Sequence, residues 1–275
     1  MNRITSLILV LGALIFSERC MAESGNWRVS VAGGYGTVGM VAVNENAEAN
    51  SEILAKQMEA EVAVYGPTEA PSMKVDKSTG GVSLGVDLGN KVSSRGGITV
   101  RAGYLKPNEL SIRASARKVS QPGIGDQFAS INITTAITVI SLMAGGWIEG
   151  GEKRGVNYSG FLFVGPAQAS SVVKGQYMVT GSGQGAYSYA YSGTGIGGEI
   201  GGRLGVGIGK ASSMFVETGY RLITIGKMKA DKDYDDLNDG TIDLKKGTVI
   251  KDVAGKALKF DFSGINIKAG FTIPF

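Results

Sequence analysis

Histidine is absent from the 275-residue sequence, and cysteine occurs once, at Cys20. Without histidine the chain cannot build a Ser/His/Asp or Cys/His relay, a histidine-containing zinc or haem site, or an imidazole general base. Most familiar hydrolase mechanisms are therefore excluded. We expect no enzymatic activity and no cofactor.

Proline is also scarce, with 6 residues, whereas the 43 glycines are about twice the usual share. A hydrophobic fraction of 43% argues against both collagen and disorder. Charged residues make up only 19% of the chain, and its net charge of +4 is spread without basic runs. Because nucleic-acid binding needs a basic patch or stripe, we expect no nucleic-acid partner.

The first 22 residues resemble a secretory signal peptide. Arg3 precedes an apolar stretch at 7–16, and Ala22 provides a small residue before a cleavage site. This stretch is too short to cross a membrane, which needs about 20 residues. An N-terminal anchor helix and a lipid-modified Cys20 are the alternatives. We predict a signal peptide over 1–22 and one exported domain over 23–275.

The rest of the chain contains segments in which apolar residues alternate with small or polar ones. Near the C-terminus, Ile265, Ile267, Phe271, Ile273 and Phe275 share one face, and the other face carries glycine, lysine and threonine. Alternation over about 9–11 residues suits one tilted strand of a membrane β-barrel. Eight such segments occur, near residues 27–35, 82–88, 98–104, 131–144, 155–165, 199–208, 216–222 and 264–275.

The connections between these segments alternate in length. The short ones cover 90–96, 145–155 and 210–212, and the long polar ones cover 41–80, 106–128, 166–194 and 227–257. Outer-membrane barrels have long loops outside the cell and short turns in the periplasm. We therefore predict an all-β fold: an eight-stranded antiparallel transmembrane up-and-down β-barrel with long extracellular loops, in the outer membrane of a Gram-negative bacterium.

Several motifs resemble the superfamily of small outer-membrane barrels that includes the OmpA transmembrane domain, OmpW and the opacity proteins. They lie at 141–147 (SLMAGGW), 163–165 (FVG), 215–221 (FVETGYR) and 270–275 (GFTIPF). Gly145 replaces the asparagine that is usual in this superfamily. The resemblance implies that Phe271, Ile273 and Phe275 form the signal read by the barrel assembly machinery. It also implies contact with outer-membrane lipid and lipopolysaccharide.

Charged residues of the alternating segments fall on the face that would line the bore. They are Asp87, Arg101, Glu199, Arg203, Glu217, Arg221 and Lys268. A turn at 210–212 would set Gly209 opposite Ser213, so that Glu199 is diagonal to Arg221 and Arg203 is diagonal to Glu217. We predict inward ion pairs, because a buried charge without a partner costs far more than a paired one. These charges would close the bore.

Two functions are open to such a barrel. Eight strands leave an interior just wide enough for side chains to fill, which favours a structural or surface-interaction role. In that role the connections 41–80 and 166–194 would meet a host or matrix ligand or lipopolysaccharide. The alternative is a narrow conduit for small apolar solutes, as in OmpW-like proteins. An apolar lining at the mouth of the barrel would favour the conduit.

Two patterns predict local structure in the long connections. Apolar residues at helical spacing, Leu54, Met58, Val62 and Tyr65, predict a short amphipathic helix over 51–65 that folds over the barrel mouth or contacts a partner or membrane. Alternating tyrosines, Tyr187, Tyr189 and Tyr191, are out of phase with Ile196 and Ile200. A bulge permitted by the glycines between 193 and 198 would reconcile the two faces.

Two further motifs do not point to a binding site. The sequence GTGIGG at 193–198 matches a dinucleotide fingerprint, but no helix and no acidic residue follow at the required distances. The aspartates of 231–243 lack the glycine and the final glutamate of a calcium-binding loop. They indicate a solvated outer loop, with divalent ions bridging it to lipopolysaccharide phosphates as the alternative.

Overall fold

The computed structural model describes residues 26–118, 127–153, 155–181, 183–208, 212–234 and 244–275. Both the signal peptide predicted over 1–22 and part of the aspartate-rich segment 231–243 lie outside these ranges. Within them, no helix has the length and apolar character needed to cross a bilayer.

The described residues form twelve strands and one helix in the following order. They are β1 (Trp27–Thr37), α1 (Val41–Ala63), β2 (Ser72–Asp76), β3 (Gly80–Ser93), β4 (Gly96–Pro107), β5 (Leu110–Arg117), β6 (Phe128–Lys153), β7 (Val156–Val179), β8 (Gly183–Ile208), β9 (Ser212–Ile225), β10 (Lys229–Ala230), β11 (Phe260–Asp261) and β12 (Gly264–Pro274).

Eight strands form a closed ring in the order β8, β7, β6, β4, β3, β1, β12, β9 and back to β8. Every neighbouring pair is antiparallel. The ring closes where β1 pairs with β12, from Arg28 opposite Pro274 to Gly36 opposite Asn266. The prediction of an eight-stranded antiparallel barrel is therefore confirmed by the strand pairing of this chain.

The outer face of the ring is apolar and uncovered by protein. Its exposed side chains include Val31, Leu84, Val100, Leu142, Leu162, Ile200, Val216 and Ile267, which come from all eight strands. Trp27 and Tyr35 lie at opposite ends of β1, where barrel proteins carry their interfacial aromatic residues. A closed ring with an apolar outer belt satisfies its backbone groups inside lipid. The chain is a transmembrane β-barrel of the outer-membrane type.

Strands β6, β7 and β8 continue well past the apolar belt. β4 pairs with β6 only as far as Leu105 opposite Val139; beyond this point β5 pairs with β6, and β2 pairs with β5. These five strands form a sheet that extends outward from one side of the barrel, here called the projection. The prediction of a polar loop at 166–194 is wrong, because β7 and β8 pair without interruption up to Val179 opposite Gly183.

The bulge predicted between 193 and 198 is also wrong. The register of β8 against both β7 and β9 is unbroken through these residues. Tyr187, Tyr189 and Tyr191 therefore continue the inward face of β8 above the membrane. Tyr187 and Tyr189 stack at 5.0 Å between ring centroids, and Tyr189 meets the edge of Tyr234 at 5.2 Å.

Helix α1 covers the inner face of the projection. It begins at Val41, ten residues before the predicted start, after Met40 adopts a left-handed conformation with φ of 49°. Ala55, Met58 and Val62 pack against three alanines of the sheet, Ala114, Ala116 and Ala129. Small residues on the sheet let the helix approach closely. The predicted helix over 51–65 is confirmed in type and corrected in length.

Candidate functional site

The seven charged side chains that the sequence predicts for the inner face all lie inside the strand ring. They are Asp87 on β3, Arg101 on β4, Glu199 and Arg203 on β8, Glu217 and Arg221 on β9, and Lys268 on β12. Six are buried, and the side chain of Arg203 is 12% exposed. We call these residues the interior charges.

Glu217 lies at the centre of the interior charges and is completely buried. Arg101 donates to both of its carboxylate oxygens at 2.9 Å. Arg203 donates to Oε2 from Nη2 at 2.7 Å, and Lys268 donates to Oε1 at 3.4 Å. One carboxylate is thus shared by three cations from three strands.

The other two carboxylates connect the same cations. Asp87 accepts from Nε and Nη2 of Arg101 at 2.7 and 2.9 Å, and from Nη2 of Arg203 at 2.8 Å. Glu199 lies 2.6 Å from Lys268 Nζ and 3.1 Å from Arg101 Nη1. Three cations and three carboxylates therefore form one continuous network across the bore. Such pairing is what makes burial of charge tolerable in low-dielectric surroundings.

The register between β8 and β9 differs from the prediction by two residues. Gly207, rather than Gly209, faces Ser213. As a result Glu199 lies directly opposite Arg221, and Arg203 lies directly opposite Glu217, instead of diagonally. The Arg203–Glu217 ion pair forms, whereas Arg221 has no ion pair with any carboxylate of the described residues.

Aromatic rings stack against the cations inside the bore. Arg101 lies 4.3 Å from the ring centre of Phe163, and Arg203 lies 3.8 Å from that of Phe215. Nearer the chain termini, Arg28 covers Trp147 at 3.5 Å. Gly201 makes room for this layer, because a β-carbon there would lie 2.6 Å from Phe161 Cζ and still closer to the backbone of β9. Both the charged network and these aromatic rings therefore lie inside the bore.

The extracellular mouth is apolar and filled. Met40, Met228 and Phe262 are completely buried, and they pack in one cluster with residues of α1 such as Val43 and Ala47. Asn44 fixes this end of α1, since its amide donates to Ser78 O at 3.0 Å and accepts from Ser78 N at 3.1 Å. The mouth is therefore lined by apolar residues, as a conduit requires, but α1, Met228 and residues 258–262 occupy it.

The predicted assembly signal lies on the closing strand of the ring. Phe271 and Ile273 project outward from β12 and are exposed toward the membrane. Phe275 follows the strand, and its N–H donates to Trp27 O at 2.9 Å. The chain end is thus hydrogen-bonded to the first strand of the barrel.

The outer face of the projection carries a groove that the sequence did not reveal. Its volume is about 840 Å³, and it is lined by Ser72, Lys74, Arg113, Asn132, Gln176 and Gln184 among others. Lys74, Arg113, Asn132 and Gln176 are successive partners across β2, β5, β6 and β7. These residues form a row perpendicular to the strands. We call this surface the polar groove.

The polar groove is a continuation of the face that contacts lipid lower down. On β6 the outward residues are Leu142 and Ile148 in the apolar belt and Asn132 and Ser130 in the groove. The change from apolar to polar on one unbroken face is the signal by which the groove could have been found. It marks where the strand leaves the membrane.

One carboxylate holds the cations of the polar groove in place. Asp76 lies 3.2 Å from Lys74 Nζ and 3.4 Å from Arg113 Nη2. The Ser111 hydroxyl donates to Asp76 at 2.9 Å, and this hydrogen bond, together with Lys74, holds the pKa of Asp76 below its ordinary value. Lys174 lies in the same row as Asp76. The groove and its margin therefore present three cations and one carboxylate.

The described ranges contain no group of three or more residues of the types that could hold a metal ion. Most residues of the aspartate-rich segment 231–243 lie outside those ranges, so the structure does not test the binding of divalent ions there. Within the described part of the chain, the interior charges and the polar groove are the two polar clusters that could bear on function.

No protein-family model matches the chain, and no curated protein matches it. Solved outer-membrane proteins do resemble it. Ail of Yersinia pestis is 9% identical, over 90% of this chain and 98% of Ail, with a TM-score of 0.33. OprG of Pseudomonas aeruginosa is 10% identical, over 91% and 96%, with a TM-score of 0.31. A major outer membrane protein of Thermus thermophilus is 11% identical, over 90% and 99%, with a TM-score of 0.33.

Proposed function

We propose that this protein is a non-enzymatic outer-membrane barrel that binds ligands at its extracellular surface, while its lumen stays closed. The observation that carries this proposal is the buried charge network across the bore. The interior charges form one network across the ring, with Glu217 completely buried at its centre. A water-filled pore needs about sixteen strands, twice the number present here.

The polar groove supports a binding role outside the membrane. Its serine, asparagine and glutamine side chains offer both donors and acceptors for hydroxyl groups. Lys74, Arg113 and the neighbouring Lys174 outnumber Asp76, so the surface favours ligands that carry negative charge. Saccharides bearing sulfate, phosphate or carboxylate groups combine both features. Lipopolysaccharide and the anionic glycans of a host matrix share this chemistry.

The test compares two triple variants of the refolded protein. In the groove variant Lys74, Arg113 and Lys174 become glutamine; in the control variant three exposed lysines on another extracellular segment, Lys245, Lys246 and Lys251, become glutamine. Both lose three positive charges. We expect only the groove variant to lose binding to an immobilised sulfated polysaccharide or to vesicles containing lipopolysaccharide.

The two probes separate the possible ligands. Loss of binding to the polysaccharide alone indicates a host or matrix ligand, and loss on the vesicles alone indicates lipopolysaccharide. If both variants bind each probe as well as the unchanged protein does, the proposed role of the groove is contradicted. Binding that falls equally in both triple variants would show a general charge effect and would also contradict it.

A conduit for small apolar solutes is the second candidate, and the apolar mouth favours it. Met40, Met228 and Phe262 provide the lining that such a solute would meet first. A solute would have to displace α1 and then leave before it reached the interior charges. Planar bilayers and vesicle uptake separate the candidates. We expect no steady large conductance, and we expect no faster entry of a small apolar dye than in empty vesicles.

A further inference from the structure

Arg221 is the interior charge that the network leaves out. Its side chain is buried, and its Nε donates to Phe262 O at 3.4 Å. Its Nη2 is buried without a hydrogen-bond partner. A guanidinium group has five N–H donors, and leaving one unbonded in a dry interior is costly.

The interior charges do not sum to zero. Arg101, Arg203, Lys268 and Arg221 give four positive charges, and Asp87, Glu199 and Glu217 give three negative ones. The three carboxylates are already bound by the first three cations. Among these seven residues, Arg221 is therefore the cation without a carboxylate partner. A buried charge in a membrane protein needs a counter-charge.

A small cavity lies beside Arg221. Its volume is about 20 Å³, which is enough for one particle about the size of a water molecule. Ser83 lines it, and the Ser83 hydroxyl is buried without a hydrogen-bond partner. Gly85 also lines it, and a β-carbon on Gly85 would find no atom within 4 Å. The cavity therefore has room, a charged donor and a hydroxyl donor.

The charged groups around the cavity are mainly positive. Arg101, Arg221 and Lys268 line it, with Glu199 as the one carboxylate among its lining residues in the described chain. We propose that the cavity binds a single small monovalent anion, chloride in ordinary buffers, which accepts hydrogen bonds from Arg221 Nη2 and Ser83 Oγ. A water molecule would satisfy the same donors but would leave the positive charge uncompensated. Sulfate and phosphate are too large for the space.

Bromide identifies the occupant directly. Crystals of the refolded protein are grown with sodium bromide in place of sodium chloride, and anomalous scattering is measured at the bromine edge. We expect a peak between Arg221 and Ser83 in the unchanged protein. Crystals that show other bound bromide ions but only a water-sized, non-anomalous feature in this cavity would overturn the proposal.

Stability in solution gives an independent test with the same protein. The barrel is refolded into detergent and its urea midpoint is measured at fixed ionic strength, with sodium chloride exchanged stepwise for sodium gluconate, whose anion cannot enter the cavity. Because a ligand that binds only the folded state stabilises it by mass action, we expect the midpoint to rise with chloride. A midpoint that is the same in both salts would overturn the proposal.

Variants show whether the chloride effect comes from this cavity. Gly85→Val places its side chain in the empty space, and we expect the midpoint to lose its dependence on chloride. Ser83→Ala should weaken the dependence, and Arg221→Gln should abolish it if the variant folds. Gly207→Ala is the control, since a β-carbon there also meets no atom within 4 Å and lies outside the cavity lining. An equal chloride effect in Gly85→Val and Gly207→Ala would refute the site.

Discussion

Replacement of Glu217 by glutamine removes the central negative charge of the lumen with almost no change in volume. Arg101 keeps Asp87 and Glu199, Arg203 keeps Asp87, and Lys268 keeps Glu199. The four interior cations then share two carboxylates. The NH₂ group of the new glutamine also replaces an oxygen that accepts hydrogen bonds, so that its N–H donors face the N–H donors of the cations. The loss is therefore electrostatic, with no cavity to add to it.

The size of the effect follows from burial. Removing one partner from a buried ion pair typically costs about 3–5 kcal/mol, because the remaining charges stay in a low-dielectric environment. Glu217 is completely buried and contacts three cations, which places it in this class. With a denaturant dependence of about 2 kcal/mol per molar urea, the unfolding midpoint should fall by about 2 M.

The assay is urea unfolding of the refolded barrel in detergent. The folded fraction is measured from the difference in electrophoretic mobility between folded and unfolded protein. The control is Glu48→Gln, because Glu48 pairs with Lys77 at 2.8 Å and both side chains are nearly half exposed. An exposed pair contributes about 0–1 kcal/mol, so the control midpoint should hardly move. Equal midpoints for the two variants would refute the view that the interior network stabilises the barrel.

Three further outcomes follow from the strand contacts. Deletion of Phe275 should lower the amount of barrel in the outer membrane, measured by cell fractionation, and unchanged levels would count against an assembly role. Gly201→Ala should impair refolding because the new β-carbon would clash with the β9 backbone and the Phe161 ring, whereas Gly207→Ala, where the space is open, should refold normally. Asn44→Ala should speed proteolysis of α1, because it removes both hydrogen bonds to Ser78; an unchanged rate would argue that packing alone holds the helix.

The membrane-spanning strands could be predicted because lipid imposes a strict period of two. Every second residue of β12, from Ile265 to Ile273, is apolar, and Lys268 falls on the opposite face. The same alternation places Glu217 and Arg203 inside. Where one face must meet lipid, the sequence carries the orientation of each side chain.

Above the membrane this signal is lost. The outward face of β7 becomes polar at Gln168, Ser170 and Lys174, so both faces contain polar residues and the segment looks like a loop. Strand pairing, rather than apolar patterning, extends β7 and β8 to Val179 and Gly183. The polar groove escaped prediction for the same reason, since its row of residues comes from segments far apart in the chain.

The ion pairs of Arg101 could also not be predicted without the closed ring. Arg101 on β4 meets Glu217 on β9, and these two strands are not neighbours in the sheet. Cross-strand rules applied to adjacent segments predict only pairs such as Arg203 and Glu217. Contacts across the bore depend on the curvature of the whole barrel. The isolation of Arg221 depends on the same geometry.

Because the projection rises from one side of the ring, the barrel is asymmetric around its axis. On one side, β6, β7 and β8 extend above the lipid together with β5 and β2; on the other, β1 and β12 end near Thr37 and Gly264. A ring of eight similar strands would look alike to neighbours from every direction. Here the two sides differ in height and polarity. A neighbouring membrane protein therefore contacts a different surface on each side of the barrel. Neighbouring molecules in the membrane can thus favour one rotation of the barrel about the membrane normal over another.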